Sequence, residues 1–437
     1  MVNNSSKSIR RALQATLAAS SLMLATANAG ALRAGVAKID ITPHDLTNLN
    51  PFGGGSFTAV HDPIFARALV VSDGSATAAI VTLDAPEVGD MTPLRQRIEH
   101  ELGIEVDNIM IAATHDHSAP RIGKVSPGAL AQDGGPESQR YSAAVFDQVI
   151  AALRQAKSSA QPARFGLGKG SVDINVNRDQ YMPGKGWGLG YDPEGPSDKT
   201  VWVLKLESLT GKPIATLFDY AVHSNVTFGI KEISGDLAGA AERYVERNGG
   251  DGIVGMYLMG PAGDQAPRVF HAGQRGDVVR DRALAYEAND AQGVMLGAEV
   301  LRVANLVESP TADVKIKTAT RETTCPTKQG VGQMSTMTTV HSPTVTLRLG
   351  LIMLNQVAIA GVSGEVVTNI YRHLQKETPL ADTILATIVN DRVGYLPDDA
   401  AYDRPIFEVN GSPAARGCAE DAIVNGIVAM IRSQSAP

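Results

Sequence analysis

Two histidines close an apolar run in the first third of the chain. His115 and His117 stand in the stretch IAATHDHSAP, in a protein that has 9 histidines among 437 residues. Side chains two residues apart point to the same face of a strand, so this pair can direct two imidazoles into one pocket. A metal site can be built in that way. Taken alone, it is more often one hydrogen-bonded loop histidine beside an exposed one.

Two further apolar runs end in residues that could bind the same ion. The run PIATLFDYAVHSN delivers His223, and NQVAIAGVSGEVV delivers Glu365 at the beginning of a predicted helix. Imidazole nitrogen and carboxylate oxygen are the ligands of a catalytic zinc ion, which keeps one position open for water or substrate. Each residue also has a structural explanation, because His223 could be a hydrogen-bonded core histidine and a helix N-terminus favours a carboxylate.

These residues lie in a chain that alternates short β-rich runs with longer amphipathic stretches. The predicted strands include ALVVSD, TAAIVTLD, NIMIAATH, VWVLKLES, IVGMYLMG and TILATIVN. The predicted helices cover 92–103, 138–156, a segment from 236 onward, 291–307, 365–375 and 420–432. This order predicts an α/β fold with a mixed β-sheet core layered with helices, in a single large catalytic domain.

The first 29 residues predict an export signal. Basic residues at 7, 10 and 11 precede an uncharged stretch that closes on Ala27-Asn28-Ala29, a pattern that signal peptidase accepts. We therefore expect a signal peptide at 1–29, a hydrolase domain at 30–437, and a periplasmic or secreted protein. The alternative is an N-terminal membrane anchor, but polar residues dilute the stretch and no later segment is apolar enough to span a bilayer.

The net charge limits the kinds of binding partner, and the two cysteines raise the question of a disulfide. The net charge of -7 comes without a basic run, so the sequence excludes nucleic acid as a partner held by charge. Cys325 and Cys418 could form a disulfide in an oxidising compartment or remain two buried thiols, and their spacing does not decide between these states.

In their order along the chain, the motifs resemble those of the neutral ceramidase family. ATHDHSAPR resembles T-H-T-H-S-G-P, DYAVHSN resembles F-A-x-H-P, GVSGEVVTNIYRHL resembles P-G-E-F-T-T-x-x-G-R-R-L, and NDRVGYLPDDAAY resembles N-x-Y-x-x-Y-x-x-T-x-E-E-Y. The likeness covers nearly all of residues 33–432, motif by motif. The family comprises secreted or surface zinc amidohydrolases that cleave the N-acyl bond of ceramide. Full-length members append a β-sandwich domain, which we do not expect in a chain that ends at 437.

The resemblance implies four zinc ligands, which are His115, His223, Glu365 and Tyr395. It also places His117 and Arg178 around the scissile carbonyl. A zinc ion lowers the pKa of its bound water toward ~7 and polarises the carbonyl, so the resemblance implies attack by a zinc-bound water. Arg178 would stabilise the developing oxyanion. His117 would transfer a proton to the leaving group or support His115.

Several residues depart from the family pattern or stay unassigned. Ala266 stands where the family has a serine, so covalent serine catalysis is excluded at that position, and Phe407 stands near a family tyrosine. Asp116 lies between the two histidines, where we expect it either near the metal site or facing solvent. We expect Asp236 to cap a helix, and Asp264 to be a loop carboxylate that could orient His115 or His117.

The reading that fits best is a zinc-dependent hydrolase acting on an N-acyl amide of a small molecule or lipid, in sphingolipid metabolism. An esterase or lactonase with the same zinc chemistry is an alternative. A different metallohydrolase, with an amidohydrolase barrel or a metallo-β-lactamase site, would need more histidines at strand ends, and after His117 only His223 ends an apolar run. A non-catalytic periplasmic binding protein would be expected to have lost a metal ligand.

Overall fold

The structure is a computed structural model that describes residues 31–52, 54–127, 129, 134–270, 277–278, 281–328 and 342–435. The predicted signal peptide lies outside the described residues, so it stays a prediction, as does the domain boundary that follows it. None of the helices in these ranges is long and apolar enough to cross a membrane.

The described strands, in chain order, are β1 Arg33–Asp40, β2 Ala59–Val60, β3 Phe65–Ser72, β4 Thr77–Leu83, β5 Ile109–Ala113, β6 Gln161–Ser171, β7 Asn175–Met182, β8 Gly186–Asp192, β9 Thr200–Ser208, β10 Pro213–Tyr220, β11 Glu232–Ile233, β12 Val254–Met259, β13 Gln265–Pro267, β14 Val269–Phe270, β15 Asp277–Val278, β16 Ile316–Pro326, β17 Thr344–Leu354, β18 Val357–Val362, β19 Glu365–Val366, β20 Asp382–Thr387 and β21 Tyr395–Leu396. The described α-helices are α1 Thr92–Leu102, α2 Pro136–Ser158, α3 Asp236–Asn248, α4 Arg282–Leu306, α5 Thr368–Glu377, α6 Phe407–Asn410 and α7 Ala419–Ser435. Short 3-10 helices cover Val106–Asn108 and Asp399–Asp403.

Two sheets pack face to face between two layers of helices. Eight strands form a mixed sheet in the order β12-β10-β9-β6-β1-β3-β4-β5, and four form a second sheet in the order β16-β17-β18-β20. Ile80 and Met110 of the first sheet share one buried cluster with Ile352 and Ile384 of the second. Helices α1 to α4 pack on the outer face of the first sheet, and α5 and α7 on that of the second. The predicted α/β class with a mixed sheet is confirmed.

The eight-stranded sheet curls until its two edges meet. Strand β12 at one edge contacts β4 and β5 at the other. Beyond the strands, Asp116 forms a parallel backbone bridge with Ser224, and the amide of His117 donates to the carbonyl of Ser224 at 2.9 Å. The pairs β4/β5, β10/β12 and β18/β20 are parallel. Loops that leave the carboxyl ends of these strands therefore converge, as is usual for ligand sites of α/β proteins.

Two helix predictions need correction. The helix predicted over 291–307 begins earlier, because α4 covers Arg282–Leu306 and the carboxylate of Asp281 accepts the amide of Leu284. The helix predicted over 365–375 begins later, because Glu365 lies in β19, which pairs with β21, and α5 starts only at Thr368. The charge of Glu365 is therefore not explained by a helix N-terminus.

Cys325 and Cys418 form a disulfide between β16 and the beginning of α7. The two cysteines are 93 residues apart in sequence, and the side chain of Cys325 is fully buried. A bridge that closes so long a loop removes much conformational freedom from the unfolded chain.

We expect Cys325→Ala/Cys418→Ala to lower the free energy of unfolding by about 2–5 kcal/mol, because the unfolded state regains that freedom. Urea unfolding without reductant measures the change. Reduced wild type is the control and should approach the double variant. Two reactive thiols in unreduced, unfolded wild type would contradict the pairing.

Candidate metal centre

Three histidine side chains meet where the loops after β5 and β10 converge. Nitrogen atoms of His115, His117 and His223 all lie within 4.8 Å of one another, and Nε2 of His115 lies 3.2 Å from Nε2 of His117. Nδ1 of His115 donates to the carbonyl of Pro86 at 2.6 Å. That bond orients the ring and directs Nε2 toward the other two imidazoles.

The two imidazoles of the HDH segment converge for a different reason than strand alternation. Strand β5 ends at Ala113, and His115 has a left-handed backbone with φ of 59°. A non-glycine residue adopts this conformation at an energetic cost and is often found at functional sites. The turn at His115, together with the bridge between Asp116 and Ser224, brings His117 back beside His115.

Glu365 completes the cluster with one carboxylate oxygen. Its Oε2 lies 3.2 Å from Nε2 of His115 and 3.4 Å from Nε2 of His223. Its Oε1 accepts from Nε of Arg392 at 3.0 Å and from Nη2 at 2.6 Å. Burial raises the pKa of Glu365, but His115 and Arg392 outweigh that effect and hold it well below its usual value.

The donor set fits a zinc ion. Oε2 of Glu365 is buried, and it has no hydrogen-bond donor although it lies beside two imidazole nitrogens. A buried anionic oxygen that is left unpaired costs free energy unless a cation or proton satisfies it. Two imidazoles and one carboxylate, with a third imidazole nearby, are ligands that suit zinc.

Tyr395 and Arg178 lie against this cluster. Tyr395 in β21 pairs with Glu365 in β19, and the guanidinium carbon of Arg178 lies 5.4 Å from the centre of its ring. The guanidinium of Arg178 contacts Nε2 of His223 through Nη1 at 3.1 Å and donates through Nη2 to the carbonyl of Gly263 at 2.6 Å. All six predicted site residues are therefore brought together. Their individual roles stay predictions.

Three charged residues of the centre were missed by sequence reasoning. Glu408 accepts from Nε of Arg178 at 2.8 Å, and Arg392 pairs with Glu365 and, through Nε, with Oε2 of Glu87 at 3.1 Å. Each has a local signal in hindsight: Glu87 follows β4 at its carboxyl end, Arg392 stands in NDRVGYLP, and Glu408 follows Phe407. These residues pair the charges that surround the cluster.

The aspartate between the histidines is buried and does not face solvent. Its Oδ1 accepts the amide of Ser118 at 2.8 Å. Burial, together with the nearby carboxylates of Asp236 and Asp84, raises the pKa of Asp116 well above its usual value. The backbone of Asp116 bridges to Ser224 and so holds the two halves of the site together.

The other two aspartates have structural roles. The N-cap of α3 is Gly235, so the expectation that Asp236 caps this helix is wrong, and Asp236 is instead its first residue. The carboxylate of Asp236 accepts the amides of Val226, Thr227 and Leu237 and so fixes the turn after His223. Asp264 does not orient a histidine as proposed above. Its Oδ1 accepts the amide of Thr368 at 3.0 Å, which caps α5.

The two departures from the family pattern also lie beside the cluster. Ala266 is buried in β13, which pairs with β7, the strand that carries Arg178. The ring of Phe407 lies 5.5 Å from that of Tyr395 and 5.3 Å from the guanidinium carbon of Arg178. Phe407 therefore contributes an apolar wall without a hydroxyl group.

Comparisons with known proteins give the same family that the sequence motifs resemble. The family model described as "Neutral/alkaline non-lysosomal ceramidase, N-terminal" matches residues 33–279. Neutral ceramidase A of Dictyostelium discoideum is 26% identical over 194 residues, which cover 40% of this chain and 25% of that protein. The chain thus spans a quarter of the length of this curated relative. The family match favours a ceramidase over the other metallohydrolase classes considered above.

Solved structures share the fold. A structure described as "Ceramidase complexed with C2" matches with a TM-score of 0.74 and 16% identity, over 93% of this chain and 76% of that chain. The neutral ceramidase from Pseudomonas aeruginosa matches with a TM-score of 0.74 and 16% identity, over 92% and 75% of the two chains. The four-layer arrangement described above is therefore similar to that of neutral ceramidases.

We expect Arg392→Leu to destabilise the metal-free protein by about 3–5 kcal/mol, because Glu365 and Glu87 would lose a buried positive partner. Urea unfolding with a chelator present measures the loss. Arg416→Leu is the matched control, since the Arg416–Asp403 pair has side chains 51% and 67% exposed and its loss should leave stability nearly unchanged. Equal effects of the two substitutions would contradict the assigned charge pairing.

Proposed function

This chain belongs to the neutral/alkaline non-lysosomal ceramidase family, and on that basis we propose that it is a secreted or periplasmic zinc-dependent hydrolase of an N-acyl amide bond, of the N-acylsphingosine amidohydrolase type. One observation supports the proposal above others. Oε2 of Glu365 lies unpaired between the Nε2 atoms of His115 and His223. That arrangement suits a bound cation and has no role in packing the core.

In the proposed centre, His115, His223, Glu365 and Tyr395 hold the zinc ion. When bound, zinc lowers the pKa of a ligand water and polarises the scissile carbonyl. Hydrogen bonds fix two of the four side chains, because His115 bonds to Pro86 and Glu365 to Arg392. Such support preorganises ligands, so that little order is lost when the metal binds.

Arg178 is proposed to stabilise the negative charge that develops on the carbonyl oxygen. Glu408, the Gly263 carbonyl and the ring of Phe407 hold its guanidinium beside His223. A fixed cation in a buried site stabilises a developing oxyanion more than a mobile one in water does. The charge is permanent, since an arginine keeps its proton at any pH at which the protein is folded.

His117 is proposed to transfer the proton from the attacking water to the leaving group. Its Nε2 lies 3.2 Å from that of His115, and of the six predicted site residues it is the one that is not fully buried. A proton carrier has to reach both the cluster and the substrate, and this position meets both requirements. Ala266 leaves no serine nucleophile at its position, which supports attack by water.

We expect purified protein to contain an equimolar amount of zinc and to lose both metal and hydrolysis in His115→Ala, because the ligand set loses a nitrogen. Elemental analysis and hydrolysis of N-acylsphingosine and of short acyl esters measure the two losses. His373→Ala is the control, since this half-exposed histidine pairs with Glu420 away from the cluster. An ester preference would favour the esterase alternative. Zinc-free protein that added zinc does not activate would support a non-catalytic binding protein.

For Arg178→Gln we expect zinc to be retained and kcat to fall roughly 100-fold, as for the loss of one oxyanion-hole donor. Steady-state kinetics with parallel zinc analysis separates this outcome from loss of the metal. Arg268→Gln, a partly exposed arginine paired with Asp173, is the control and should keep wild-type kcat. Unchanged kcat in Arg178→Gln would rule out the role given to this residue.

A further inference from the structure

A small aromatic cavity adjoins His117. Its volume is about 60 Å³, which is room for roughly two water-sized groups. Three phenylalanines form its apolar wall, which are Phe52, Phe57 and Phe228. Its polar lining includes Asn50, Lys231 and Glu232. Small, mostly apolar cavities with a few polar groups are typical binding sites for parts of small molecules.

Two of the phenylalanines enclose the imidazole of His117. The ring of Phe52 stacks on it at 4.4 Å between centroids with an interplanar angle of 7°. The ring of Phe228 meets the imidazole edge-on at 5.6 Å and meets Phe52 edge-on at 5.4 Å. These contacts restrict rotation of the imidazole, so the proton-carrying ring and the cavity wall form one packed unit.

The chain holds the cavity open through backbone pairing. Strand β2, which follows the segment that contains Phe52 and Phe57, pairs with β11, which follows Phe228. The amide of Thr58 donates to the carbonyl of Lys231 at 2.8 Å. On the other side, the carboxylate of Asp236 accepts the amides of Val226 and Thr227 just before Phe228. The cavity is therefore largely preformed, which lowers the cost of filling it.

The position of the cavity identifies the part of the substrate that reaches it. A proton carrier must lie within hydrogen-bond reach of the leaving atom. The walls that touch the imidazole of His117 are then next to the leaving group. Arg178 is proposed to face the carbonyl oxygen, and it contacts His223, Gly263 and Glu408. It does not line this cavity, so the cavity lies on the leaving-group side of His117.

We propose that this cavity binds the portion of the leaving group next to the scissile bond, and that Phe52 and Phe228 determine which leaving groups are accepted. The proposal rests on the proposed function, because it assigns proton transfer to His117. The cavity admits a short apolar portion, and Asn50, Lys231 and Glu232 can meet a polar continuation. The preferred substrate class is thus an amide or ester of a small amine or alcohol that has a polar group beyond a few carbon atoms.

A pair of substrate series tests the assignment. One series keeps an acetyl group and lengthens the amine or alcohol from methyl to octyl, and the other keeps an ethyl leaving group and lengthens the acyl chain over the same range. For zinc-loaded wild type we expect kcat/KM to rise along the first series and level off at roughly two to three non-hydrogen atoms. In Phe52→Ala and Phe228→Ala we expect a roughly ten-fold loss for the leaving groups that fill the cavity, while the acyl profile keeps its shape.

A control variant and a binding measurement separate the possible failures. Phe146→Ala removes a partly buried phenylalanine that packs on the core, away from the cavity lining, and should leave both profiles unchanged. Calorimetric titration with the free amines needs no turnover. We expect roughly ten-fold weaker binding of butylamine in the Phe52 and Phe228 variants, and none of that loss in Phe146→Ala.

Two results would overturn the assignment. The first is a changed acyl profile with an unchanged leaving-group profile. The second is butylamine binding that the Phe52 and Phe228 variants do not weaken. Absence of all hydrolysis in wild type, together with the expected loss of amine binding in the variants, would instead reject the proposed function, and the cavity would then be a binding site for small amines without a leaving-group role.

Discussion

The buried carboxylate of Glu365 is the group on which the rest of the centre depends. A charge without solvent is tolerated only when each of its oxygens has a partner. Arg392 satisfies one oxygen, and the other faces the nitrogens of His115 and His223. Arg392 lies in the segment after β20 and also pairs with Glu87 at the carboxyl end of β4. The charge of Glu365 is therefore part of an ion-pair network that connects these two segments. In the proposed centre, a metal ion would be the partner of the second oxygen.

The curled sheet turns this local requirement into a property of the whole fold. His115 follows one edge of the eight-stranded sheet, and His223 follows β10, which is next to the other edge. They can meet only because the sheet closes on itself and the backbones of Asp116 and Ser224 pair. The second sheet then supplies Glu365 from beyond β18. A change that opened the sheet would separate the ligands without altering any of them.

The sequence predicted the parts of this centre that have a local pattern. Apolar runs that end in histidine or glutamate revealed His115, His117, His223 and Glu365, and family motifs added Tyr395 and Arg178. The pairing between charged residues left no such pattern, since Arg178 and Glu408 are 230 residues apart in sequence. The prediction that Glu365 lies in a helix was wrong, because it lies in a two-residue strand, which is too short to show alternation in sequence. Two sheets packed between helices could not be foreseen either, since strand order depends on long-range pairing.

The disulfide has a topological consequence for the centre. Glu365, Arg392, Tyr395 and Glu408 all lie between Cys325 and Cys418 in sequence, whereas the three clustered histidines and Arg178 precede Cys325. The chain therefore contributes half of the site from one covalently closed loop. If a protease cut the backbone once anywhere within that loop, the two fragments would remain joined. A single cleavage there would leave all the residues of the centre in one molecule.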